Sequence, residues 1–249
     1  MEIWHFIVLV IVGIFVGFIN VISGGGSLIT LPILIFFGLD SVTANASNRI
    51  GNFAQSFAAL AGFKSKGVKY DSYVYILGIA SALGAVLGTF LALEIPDKAF
   101  NKILAFVMII VVLFTIFSPT KKVSDVLERV HTKSKILGTI AFFFIGVYGG
   151  FIQAGTGLLI MAALALINKF TLSKVNTYKV IIVIFYLSVA MLIFIWSGKV
   201  NWPYGLSLAV GMSIGGWLTS RWSLNKGEEW IKGFMVVSVC ALAIKLWFF

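Results

Sequence analysis

The residues of this chain that could do chemistry mostly sit inside apolar sequence. Ser23-Gly24-Gly25-Gly26-Ser27 interrupts one apolar run. Asn45, Asn48, Arg49, Asn52 and Ser56 follow at spacings i, i+3, i+4, i+7 and i+11, with Gln55 beside them. That spacing puts them on one face of a helix. A later stretch has the same parts. Ala154-Gly155-Thr156-Gly157 is a second break, preceded by Gln153, and Asn176, Lys179 and Tyr186 follow at i, i+3 and i+10. A helix that starts after such a break presents unpaired N–H groups and a positive dipole end. That is a place for an anion. The amides supply donors, and Arg49 and Lys179 supply positive charge.

The same residues have plainer roles. Glycines permit a tight turn, and asparagines cap helices. Arg49 caps a helix or snorkels to a face, and Lys179 lies in a cytoplasmic loop. A polar stripe on a membrane helix still has to face protein or water rather than lipid.

Other chemistry has little to build on. His5 and His131 are far apart, and Cys240 is the one cysteine. No Cys/His cluster suggests a metal, and no cofactor motif is present. Asp40, Asp71, Glu94, Asp97, Asp125, Glu128, Glu228 and Glu229 fall in loops or at run ends. A proton-relay carboxylate in mid-span is therefore not expected. An enzyme would need a nucleophile with a base, or a metal, and the spans offer neither.

The surrounding sequence defines a membrane protein. It is 60% hydrophobic and 11% charged, with a mean hydropathy of +1.04. A soluble domain could not keep that much apolar surface from water. The net charge of +10 does not point to nucleic acid, because Lys and Arg cluster in short gaps between apolar runs. The partner implied is the lipid bilayer. Apolar runs fall at 3–22, 27–38, 49–63, 72–93, 99–117, 136–153, 157–168, 177–197, 203–220 and 230–249. Most approach the ~20 residues that span a bilayer. The runs 27–38 and 157–168 follow the glycine breaks and are half-helices or thin crossings. The first run lacks a basic leader and a cleavage signature, so it reads as a retained helix.

The halves repeat. Shifted by 131 positions, Gly24 meets Gly155, Gly26 meets Gly157, and Leu28-Ile29 meets Leu159-Ile160. Asn45 meets Asn176, Gly67 meets Gly198, Tyr73 meets Tyr204, Gly84 meets Gly215, and Asp97 meets Glu228. The reading is an all-α polytopic fold: a first repeat at 1–117, a basic cytoplasmic linker at 118–135 and a second repeat at 136–249, with about five helical segments in each half. Internal repeats are common in transporters. If each half crosses five times, the second is inverted. Lys64, Lys66, Lys69, Lys121, Lys122, Arg129, Lys133, Lys135, Lys169, Lys174, Lys179, Arg221, Lys226 and Lys232 then share one face. If each half crosses four times, the cations split evenly. The positive-inside rule favours inversion, with both termini outside.

The segment Gly17-Phe18-Ile19-Asn20 through Ser23-Gly24-Gly25-Gly26-Ser27-Leu28-Ile29-x-x-Pro32, with Ala44-Asn45-Ala46-Ser47-Asn48, resembles the first motif of the TauE/SafE family of sulfite exporters. Gly149-Gly150-Phe151-x-x-x-Gly155-Thr156-Gly157 resembles its degenerate second copy. The resemblance implies a multi-pass plasma-membrane transporter of sulfite, sulfonates or related organic anions, from a bacterium or archaeon. It implies neither a particular anion nor an oligomeric state. The expected site is Ser23, Gly24, Gly25, Gly26, Ser27, Asn45, Asn48, Arg49, Asn52, Gln55, Gln153, Gly155, Thr156, Gly157, Asn176 and Lys179. Alternating access of the two repeats is the expected mechanism. A passive anion channel is the alternative.

Overall fold

The structure is a computed structural model, and it describes residues 3–117, 128 and 131–221. Most of the linker, the run at 230–249, Glu228 and Cys240 lie outside the described residues. The described chain is helical: α1 Ile3–Ser23, α2 Ser27–Phe36, α3 Ser41–Ser65, α4 Tyr73–Glu94, α5 Asp97–Phe117, α6 Thr132–Phe151, α7 Thr156–Ala163, α8 Leu172–Trp196 and α9 Trp202–Arg221. A π-helical turn, Leu164–Asn168, extends α7. Helices α1, α4, α6 and α8 are long and apolar enough to cross a membrane. The apolar run at 49–63 is the later part of α3, which starts earlier because Asp40 caps it by accepting from the Thr43 N–H at 2.9 Å. With 25 residues, α3 reaches about 37 Å, enough to span despite its polar face.

The 131-position register extends to the backbone. Moved by 131 positions, Ser41–Ser65 coincides with Leu172–Trp196, since 172 less 41 and 196 less 65 both give 131. Six described residues have positive φ, and they form three pairs in that register. Gly24 (76°) matches Gly155 (76°), Gly67 (71°) matches Gly198 (68°), and Gly38 (88°) matches Lys169 (53°). The last pair escapes a residue-by-residue comparison because a lysine has replaced the glycine.

Packing crosses between the halves. Helix α1 lies along α9, Gly13 and Gly17 against Gly211, Met212 and Gly216. Helix α6 lies along α4, Gly146 and Gly150 against Ser81 and Ala85. Both pairs run in the same direction. Small residues let these backbones approach, which is how helices associate where lipid supplies no hydrophobic drive. Helix α3 also runs with α9, from Ser47 opposite Gly205 to Gly62 opposite Ser220. Helices α3 and α8 run oppositely: Arg49 lies by Phe194, while Ala59 and Phe63 pack with Val180.

Each broken helix turns back. Helix α2 ends where α1 began, with the Phe37 ring 5.4 Å from Trp4 and 4.4 Å from His5. The α7 segment likewise ends beside the first turns of α8, with the Phe170 ring 5.0 Å from Tyr178. That second end is basic. Lys174 pairs with Asp71 at 3.2 Å and Glu128 at 2.7 Å, and the Tyr73 hydroxyl reaches Ser134 O at 3.5 Å. Partial burial pushes the Asp71 carboxyl up, but hydrogen bonds from Tyr178, the Tyr73 N–H and Lys174 outweigh it and hold the group below its ordinary value.

Candidate functional site

Both breaks lie at the centre of the bundle and touch. A Cβ on Gly24 would sit 2.5 Å from the Gly157 carbonyl carbon, and one on Gly157 would sit 2.5 Å from Gly24 O. Only glycine at both positions permits this approach, and Gly24 also takes positive φ. Helices α2 and α7 leave this point toward opposite ends of the bundle. Their N-terminal poles, the positive ends of the two helix dipoles, therefore converge.

Beside the contact is a cavity of about 20 Å³, lined by Asn20, Gly24, Ser27, Asn52, Gln55, Ser56, Gln153, Gly157, Lys179, Val180, Val183 and Tyr186. That is room for about one water. Polar side chains are linked around it. Asn20 Nδ2 donates to Asn52 Oδ1 at 2.6 Å and to Gln55 Oε1 at 3.0 Å. Asn52 Nδ2 donates to Ser27 Oγ at 3.2 Å, and Asn20 Oδ1 accepts from the Gly26 N–H at 3.3 Å.

The two interior cations do not point at open space. Arg49 is completely buried. Its Nη1 donates to Gly149 O at 2.9 Å and its Nη2 to Gly150 O at 2.7 Å, and its guanidinium lies 4.8 Å from the centre of the Phe194 ring. Asn45 Nδ2 takes the next carbonyl, Phe151 O, at 2.9 Å. These carbonyls end α6, so α3 of the first half caps the broken helix of the second. The reverse also holds. Lys179 of α8 donates through Nζ to Asn20 O at 3.0 Å and Val21 O at 2.6 Å, near the end of α1. Asn176 Oδ1 accepts a third bond at 2.9 Å. Lys179 is buried within α8, so its reading as a loop lysine is corrected.

Magnitudes indicate what the caps achieve. A bond to a charged group contributes about 1.5–3 kcal/mol, and a cation at a helix C-terminus up to ~2. A buried ion costs several kcal/mol. The carbonyl ends make each cation tolerable and leave little surplus. The carboxylates among the described residues all lie at the ends of the bundle, so none neutralises Arg49 or Lys179. Among the described residues no three His, Cys, Asp or Glu form a metal-binding group.

Of the expected site residues, Gly24, Ser27, Asn52, Gln55, Gln153, Gly157 and Lys179 line the cavity. Asn48 stands behind them, donating to Gln153 Oε1 at 3.3 Å and accepting from Thr30 Oγ1 at 2.6 Å. Arg49 and Asn45 lie at the end of α6, and Asn176 holds Lys179. Ser23, Gly25, Gly26, Gly155 and Thr156 build the two turns; Ser23 Oγ bonds Ile19 O at 3.0 Å and Thr156 Oγ1 bonds Ile152 O at 3.4 Å. Asn20 was not expected. It falls in the quoted motif, but its counterpart in the 131 register is Phe151, so the repeat could not single it out. Ser56 and Tyr186 were visible in the stripes but had not been placed at a site.

Crossed broken helices around a polar centre define an integral membrane protein of the transporter class. The chain belongs to the sulfite exporter TauE/SafE family, whose profile matches residues 9–246. It is 28% identical over 244 residues to a probable membrane transporter protein, ORF9, of Sinorhizobium, covering 98% of this chain and 93% of that one. It is 26% identical over 239 residues to a probable membrane transporter protein of Haemophilus influenzae, covering 96% and 93%. It is 27% identical over 239 residues to the probable membrane transporter protein YfcA of Escherichia coli, covering 96% and 88%. No solved structure matches the chain.

Proposed function

We propose that this chain is a plasma-membrane carrier, bacterial or archaeal, for a small anion such as sulfite or a sulfonate, and that the anion binds where the two breaks meet. The observation that carries this reading is the convergence of two helix N-termini on a cavity with amide donors and Lys179. The family name, sulfite exporter, supports a sulfur oxyanion. At about 20 Å³ the cavity has room for about one water, less than such an anion, so binding requires the halves to move apart. This favours alternating access over a standing pore.

The halves, 1–117 and 136–249, act as inverted repeats joined by a cytoplasmic linker at 118–135. The opposite directions of α3 and α8, which occupy the same place in each repeat, support inversion. Lys64, Lys66, Lys133, Lys135, Lys174 and Arg221 lie toward the end where α4 and α6 start, and the positive-inside rule makes that end cytoplasmic, with the N-terminus outside. Thiol labelling in intact cells tests this: Lys66→Cys and Lys133→Cys should be protected, and Lys199→Cys should react. Reaction at 66 would overturn the orientation.

Uptake into proteoliposomes with sulfite, thiosulfate, sulfoacetate, acetate and chloride tests the function. Saturable transport and counterflow of a sulfur anion are expected. Large unitary currents would instead identify a channel, and no transport of any anion by folded protein would defeat the reading.

A further inference from the structure

The two interior cations are alike in what they cap but differ in what they face. Arg49 is sealed between the end of α6 and the Phe194 ring, and it does not border the cavity. Lys179 caps α1 and also forms part of the cavity wall. A lysine can give up its proton in a protein interior, whereas an arginine cannot.

We propose that Lys179 binds and releases one proton with each anion the carrier moves. This rests on the carrier reading above. With the anion bound, the ammonium is charged and the pair is neutral together. When the anion leaves, the proton passes from Nζ to water on the side to which the cavity is open, and the empty carrier resets with a neutral amine.

Three features of the site carry the idea. First, no carboxylate among the described residues reaches the ammonium. From α8 it faces Tyr186 and Asn176. From α1 it meets carbonyls, and from α7 it meets Met161 Sδ at 3.5 Å. From α3 it meets neutral amides and Ser56, while Arg49, the other buried cation among the described residues, is turned toward α6. Second, returning an uncompensated ammonium through a closed, low-dielectric centre costs several kcal/mol, and deprotonation removes that cost. Third, the Asn176 amide that holds Nζ through Oδ1 has its own Nδ2 buried without a partner. It can serve as a donor once the ammonium is gone, because a neutral amine offers a lone pair.

Binding is then linked to pH. An anion beside Lys179 favours the ammonium, so affinity should fall about tenfold for each pH unit above the titration of the empty site. For a singly charged anion the cycle is electroneutral.

The test uses the full-length protein in liposomes with a pH dye inside and the membrane potential clamped at zero. Ethanesulfonate, sulfoacetate and sulfite are the probes; ethanesulfonate carries no proton of its own near neutral pH. The lumen should acidify as the anion enters, with one proton per anion for ethanesulfonate. Lys179→Arg keeps the charge and the carbonyl bonds. It should exchange anion for anion without proton flux, while its net uptake becomes slow and dependent on the potential, because the charged empty carrier must return. Saturable wild-type ethanesulfonate uptake without acidification, or an unchanged proton ratio in Lys179→Arg, would overturn the proton role and leave the carrier standing. No saturable uptake of any probe would overturn both.

Discussion

Arg49 and Lys179 perform the same structural task in opposite halves, yet their settings differ. Each comes from the long helix after its own break, and each caps the broken helix of the other half. Arg49 is enclosed by protein, and its bonds go to two successive carbonyls of one helix end. Lys179 shares its bonds with Asn176 and borders the cavity. Positions 49 and 179 thus place two cations at one kind of helix end. Only one of them was left facing the place where a ligand would sit.

Removing the sealed cation should have the largest effect. Arg49→Leu leaves Gly149 O unpaired and Gly150 O with only the Thr89 hydroxyl, at 3.3 Å. At roughly 1–3 kcal/mol for the unpaired carbonyl and about 1 kcal/mol for the bond lost at Gly150 O, a fall of about 2–4 kcal/mol should appear as a clearly lower melting temperature in detergent. Lys179→Met should cost less, since water in the cavity can replace the ammonium at Asn20 O. If Arg49→Leu melts like wild type but binds the anion weakly, the contrast between the two cations is wrong and Arg49 belongs to the site.

The glycines give a second, smaller contrast. Gly157→Ala forces a Cβ to 2.5 Å from Gly24 O, backbone against backbone. Such overpacking costs about 1–3 kcal/mol, and transport should fall about tenfold or more if the contact between breaks is the centre of the proposed carrier. Gly198 also has positive φ, but nothing lies within 4 Å of an added Cβ. Gly198→Ala should cost only ~1 kcal/mol and leave the anion uptake rate close to wild type. Equal loss of uptake in both variants would mean that general destabilisation, not the contact, limits transport.

Much of this was legible from residue order. Apolar runs set by local hydropathy marked the membrane helices, and their glycine interruptions marked the broken ones. The 131 register emerged from identities such as Asn45 with Asn176, and it later accounted for every positive-φ residue described. The stripe from Asn45 to Ser56 could be assigned to a protected face because lipid cannot hydrogen-bond it. These properties belong to neighbours along a helix, so spacing alone reveals them.

The partners of the cations were not legible. Sequence supplied positive charge in an apolar setting, and an anionic ligand was one way to balance it. Whether a carbonyl already does so depends on groups far away in the chain, such as Gly149 for Arg49 or Val21 for Lys179. That was decided by the crossing of the two halves, which turned each helix end toward the other half's cation. The same crossing brought Gly24 against Gly157 and drew Asn20 into the centre. Sequence determined which groups must be hidden from lipid; tertiary structure decided which of them neutralise one another and which remain at the cavity.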